Sequence, residues 1–167
     1  MKFNNLFPKV AIIVSYSVLF AVATYFGKST SYFDIFLFIL GLLFGAAILH
    51  LDEVFLYDLY ADEQQKLLSQ DEKQFATRSL LFLLMLFPLG LYIMTSTGSS
   101  VGVGLFIGII SGISVEMAQL RNNSELFHKR FLFQLKRKLT TQEEKTLRAV
   151  FITAAIFYAL MVIFMGR

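Results

Sequence analysis

The chain has 167 residues, 56% of them hydrophobic and only 16% charged, with a formal net charge of +3 and a mean hydropathy of +0.65. A soluble domain of this size lacks the interior to hide that much apolar surface, so the excess must face lipid. Cysteine is absent, which excludes disulfides, thiolate metal sites and a cysteine nucleophile.

Five apolar runs, near the ~20 residues a bilayer-crossing helix needs, cover residues 10–26, 32–51, 79–95, 101–120 and 149–165. Pro8 precedes the first run, where its missing N–H costs nothing. Lys2 and Lys9 before that run, and Ala21-Val22-Ala23 near its end, have the look of a secretory signal. The expectation is nonetheless a retained span. Pro88 lies inside the third run, where a kink is expected. The connections at 27–31 and 96–100 read as tight turns.

Lys and Arg placement orients the spans. Thirteen of the fifteen fall in the N-terminal tail and in segments 52–78 and 121–148, leaving Lys28 and Arg167 on the other side. This predicts a cytoplasmic N-terminus, two cytoplasmic segments and an external C-terminus, in a plasma or inner membrane. Tyr25, Tyr32 and Tyr92 suit an outer aromatic belt, with Tyr57 and Tyr60 just inside. Runs two and three resemble runs four and five in layout. Each pair meets acids at its inner end and restarts after a capping-box pattern, Ser69 to Glu72 and Thr140 to Glu143. A parallel internal repeat would look like this, and so would any two hairpins inserted the same way.

Ser100, Gly104, Gly108 and Gly112 recur every four residues on one helix face, and Gly41 and Gly45 do the same in the second run. Small residues at this spacing let helix backbones approach closely. The expected contact is the second run against the fourth, or a neighbouring protomer. Both stripes end in acid. Glu116 follows Gly112 on the same face, and Asp52 and Glu53 close the second run. Such acids face protein rather than lipid. They make Asp52, Glu53 and Glu116 a candidate ion or proton site, with Arg78, Arg121 and Arg148 as expected ion-pair partners. Asp34 lies close enough to the outer boundary to be hydrated.

His50 with Glu53, and Glu125 with His128, each set an imidazole and a carboxylate one turn apart. Glu-x-x-His occurs in di-iron bundles, but the two pairs have opposite order and Glu125 lies beyond the bilayer, so no metal and no cofactor is assigned. Residues 123–139 read as an interfacial helix. Phe127, Phe131, Leu132, Leu135 and Leu139 fall on one side at about 100° per residue, and Lys129, Arg130, Lys136 and Arg137 on the other. That pattern suits anionic lipids at the cytoplasmic face rather than nucleic acid. Segment 52–78 carries a charge of −4 and segment 121–148 carries +5, which suggests mutual docking. There is no Gly-rich phosphate loop, Gly-x-Ser-x-Gly or His-Glu-x-x-His pattern.

The expected fold is an all-α integral membrane protein, a bundle of about five transmembrane helices with cytoplasmic helical extensions. The expected role is a non-enzymatic assembly subunit or homo-oligomer in the lipid bilayer. The alternative is a small ion- or proton-coupled transporter or channel that uses the acids at the cytoplasmic ends of the second and fourth runs.

Overall fold

The computed structural model describes residues 31–66, 73–96, 98–135, 137 and 139–164, together with Val14, Ser15 and Val18. The 10–26 run apart from those three residues, the Ser69–Glu72 capping pattern and Lys136 therefore lie outside the described residues. Every regular element among the described residues is helical. In chain order they are α1 (Tyr32–Leu51), a π turn (Asp52–Leu56), α2 (Tyr57–Tyr60), α3 (Glu63–Lys66), α4 (Leu80–Ser96), α5 (Ser100–Gln119), α6 (Ser124–Phe131) and α7 (Thr141–Phe164). Short 3₁₀ turns, Ala76–Arg78 and Leu120–Asn122, lead into α4 and out of α5.

Among the described residues three helices are long and apolar enough to cross a membrane: Tyr32–Tyr60, Ser100–Asn122 and Thr141–Val162; α4 is a shorter apolar helix. Their starts are set locally. Ser31 caps α1, accepting from Phe33 N–H at 3.2 Å, while Asp34 accepts back from Ser31 N–H at 3.3 Å. Ser99 caps α5 by accepting from Gly102 N–H, one residue after Gly98 takes a positive φ of 56° in the turn from α4. Thr140 and Glu143 form a reciprocal capping box at the start of α7, with Thr140 N–H donating to Glu143 at 2.8 Å and Glu143 N–H to Thr140 Oγ1 at 3.3 Å. α4 remains helical through Pro88.

α5 is the central helix, with eleven buried residues of 20. Its glycine face meets that of α1. A methyl group at Gly41 would strike the Val101 carbonyl, one at Gly45 the Leu105 carbonyl, and one at Gly104 the Phe38 carbonyl. Gly108 lies against Leu42 and Gly45, and Gly112 against Leu49. These contacts advance in step along both helices, so α1 and α5 run parallel with their backbones in close approach. Near the far end, Ser100 Oγ donates to Asp34 Oδ1 at 3.3 Å.

Two parallel neighbours need a returning helix between them in sequence, and α4 supplies it. Gly90 of α4 leaves room for the Phe106 ring, which also meets the Tyr158 ring of α7 edge-on, with centroids 4.9 Å apart. Tyr158 Oη donates to the Phe87 carbonyl at 2.7 Å, and Phe87 and Phe151 rings lie 5.3 Å apart. α4 and α7 thus both pack on α5 and on each other.

The stretch read as one interfacial helix over 123–139 is different in the structure. Helix α6 stops at Phe131, and Phe127, Phe131 and Leu132 are fully buried in the main core, with Leu135 and Leu139 packed against it. The apolar side covers the end of the bundle instead of lying on lipid. A 3.6-residue period reports an apolar environment on one side, and protein satisfies it as well as acyl chains do.

Candidate functional site: a buried ion network at one end of the bundle

The site begins with a change of helical pitch at the end of α1. In the π turn, Tyr57 N–H bonds to the Asp52 carbonyl, five residues back rather than four. The extra residue carries the inward face from Leu49 and Asp52 to Tyr57, leaving Leu56 exposed. Tyr57 then forms a small second core with Ala61 and Phe75, its ring 5.3 Å from that of Phe75. This core pins the segment that leads into α4.

Asp52 fastens the same segment by hydrogen bonds. It accepts from Thr77 N–H at 2.9 Å, Thr77 Oγ1 at 2.5 Å and Tyr60 Oη at 2.9 Å. Tyr60 Oη in turn accepts from Ala76 N–H at 2.9 Å. A buried carboxylate needs such donors to offset its lost hydration.

The next residue, Arg78, is 1% exposed. Its Nε donates to Glu116 Oε2 at 2.6 Å and its Nη2 to Glu53 Oε1 at 2.5 Å. Its guanidinium lies 4.7 Å above the Phe75 ring, and its buried Nη1 makes no hydrogen bond to a described residue. Glu116, 5% exposed, takes a second cation on its other oxygen: Arg130 Nη1 donates to Oε1 at 2.6 Å. Two carboxylates and two guanidiniums thus alternate along a chain, Glu53–Arg78–Glu116–Arg130, drawn from the π turn, the 3₁₀ turn, α5 and α6. His50 Nδ1 stands 3.6 Å from Glu53 at the open end.

A second cluster joins α6 to α7. Arg148 Nη1 donates to the Arg121 carbonyl at 2.8 Å, Nη2 to Glu144 at 3.4 Å, and the guanidinium lies 4.0 Å above the Phe127 ring. His128 stands between Glu144, at 3.7 Å, and the Arg137 carbonyl, at 3.2 Å.

Asp52, Glu53, Glu116 and Arg78 are therefore gathered at one end, though Asp52 is held by hydroxyls and an amide rather than by a cation. Arg148 lies in the second cluster with Glu144, and the Arg121 side chain is exposed. Arg130, read as a lipid-facing base, turns inward to Glu116. Lys129 pairs with Glu125 at 3.3 Å and Arg137 with Glu143 at 2.9 Å. His50 and Glu53 stay together, whereas His128 faces Glu144 instead of Glu125. Among the described residues no three His, Cys, Asp or Glu side chains gather as a metal site.

Thr77 is not singled out by the sequence, and Tyr60 and Arg130 read there as an aromatic-belt residue and a membrane-surface base, not as members of this site. Thr77-Arg78-Ser79 directly before an apolar run is a polar cluster that could have flagged the first. Nothing local marks Arg130, because the end of α6 one residue later decides its direction.

Neither a family model, a curated protein nor a solved structure matches this chain. Function must therefore be read from the site itself.

Proposed function

We propose that this chain is a multi-pass membrane protein that works as a non-enzymatic assembly or structural subunit. In this reading the ion network lies at the cytoplasmic end, the N-terminus and both polar segments are cytoplasmic, and the C-terminus is external. The partners are the lipid bilayer with its anionic cytoplasmic lipids, and a second copy or another membrane subunit.

The observation that carries the reading is the saturation of the inner acids. Glu116 is held between two guanidiniums, and Asp52 by three donors. Groups so engaged tie helices together, and releasing one for a travelling ion breaks a buried pair at a cost of about 3–5 kcal/mol. The glycine faces serve the internal α1–α5 contact, so association with a partner runs through other apolar faces. Native mass spectrometry of protein gently extracted from its membrane tests this. A defined oligomer or a reproducible foreign subunit is expected, and a bare monomer at every protein concentration refutes it.

A transporter is the second reading, favoured by one feature: a π turn, a frequent mark of functional sites, contains the incompletely buried Glu53. It predicts cation or proton flux in liposomes that Glu53→Gln and Glu116→Gln abolish. Absence of flux with the wild type removes it.

A further inference from the structure

At the level of the ion network, large apolar side chains are exposed on three different helices, beside the half-exposed His50 of α1. On the extension of α1, Val54 is 46% and Phe55 65% exposed, directly after Glu53. On α4, Leu81 is 61% exposed, three residues after Arg78. On α7, Val150 is 54% exposed, two residues after Arg148. That arginine meets the Arg121 carbonyl, already five residues past Glu116 and so farther toward the polar end. All three helices pack on α5, so these side chains form a belt rather than one patch. A protein partner covers a patch; lipid covers a belt.

Length points the same way. The helix Tyr32–Tyr60 has 29 residues, about 43 Å at ~1.5 Å per residue, which matches the ~40–45 Å of a bilayer with its headgroups. Tyr32 and Tyr60 then fall at the two headgroup levels where tyrosines collect. Glu53 lies roughly 10 Å inward of Tyr60.

We propose that the Glu53–Arg78–Glu116–Arg130 network sits below the inner membrane surface, ringed by lipid acyl chains that contact Phe55, Leu81 and Val150. This rests on the membrane reading above and moves the inner limit of the first described span from residue 51 to Tyr60. It accounts for the pairing of every carboxylate in the network, because ionisable groups at that depth persist only with partners. It also accounts for the apolar sequence Val54-Phe55-Leu56 beyond two acids, which a cytosolic helix has no reason to expose.

The chain contains no tryptophan, so a single introduced indole reports its own surroundings. Phe55→Trp, Leu81→Trp and Val150→Trp, with Phe44→Trp as a mid-span control, are reconstituted full-length in liposomes of phosphatidylcholine and phosphatidylglycerol. Fluorescence is then read with lipids brominated high on the acyl chain, with lipids brominated deep on the chain for the Phe44→Trp control, and with aqueous acrylamide. The expected result is that all four lose most of their emission to bromolipid and little to acrylamide. If Phe44→Trp is quenched by bromolipid while the other three respond to acrylamide, the network lies outside the bilayer: the inference falls and the membrane reading stands. If the three are shielded from both quenchers, protein covers the belt and the inference also falls. If Phe44→Trp itself ignores bromolipid, the membrane reading fails. Val54→Trp replaces Phe55→Trp should that variant not fold.

Discussion

Replacing Glu116 by Ala is the most informative perturbation of the network. The substitution strips two guanidiniums of a carboxylate at 2.6 Å each. Their fates differ. Arg78 is buried and keeps only Glu53, at 2.5 Å, so it is left under-compensated. Arg130 is partly exposed and swings toward water. Breaking a buried pair costs about 3–5 kcal/mol. With one of the two cations free to relax, the lower end applies, about 3 kcal/mol. Glu116→Gln keeps the shape and one acceptor but loses the charge, which points to about 2 kcal/mol, the scale of a hydrogen bond to a charged group. The assay is equilibrium unfolding in mixed micelles titrated with sodium dodecyl sulfate, followed by far-ultraviolet circular dichroism. The expected order of stability is wild type, then Gln, then Ala. A cycle with Arg78→Met should give a coupling of at least about 1 kcal/mol, since the double variant removes the buried Arg78 charge that Glu116→Ala alone leaves under-compensated, and the groups that then lose a link, Glu53 and Arg130, are both partly exposed. A loss below ~1 kcal/mol for Glu116→Ala is the value typical of exposed pairs. It would refute the account of a buried network holding four segments together.

Three further outcomes follow from the same geometry. Gly45→Ala drives a methyl group into the Leu105 carbonyl, a backbone atom that cannot rotate away. The helices must part, at about 1–3 kcal/mol in the same unfolding assay, and an unchanged midpoint would contradict the close α1–α5 approach. Thr77→Val removes the 2.5 Å donor to Asp52 and leaves a buried carboxylate short of one bond, a loss of about 1–3 kcal/mol; Tyr60→Phe in that background should add to it. Thr140→Ala opens the capping box of α7, which costs about 1 kcal/mol. It should speed amide hydrogen exchange in the first turn of α7 and leave α5 as protected as before.

Much of the element layout was legible in the chain. The apolar runs at 32–51 and 101–120 become Tyr32–Leu51 and Ser100–Gln119, and the Thr140–Glu143 box forms where its spacing predicts. Capping and helical periodicity involve residues within one turn, so the linear order of the chain contains them. The glycine faces were equally visible, since a four-residue repeat of small side chains is a property of one helix alone.

What tertiary structure decided is which groups meet. Arg78 and Glu116 are 38 residues apart, and Thr77 and Asp52 are 25 apart; no local pattern pairs them. The π turn shifts the inward face by one residue, so that Tyr57 and not Leu56 enters the second core. The end of α6 at Phe131 turns Arg130 inward to Glu116 and seats Phe127 and Phe131 in protein. An amphipathic stretch states only that one side avoids water. Lipid and protein both satisfy that demand, and the choice between them belongs to the packing of segments distant in the chain.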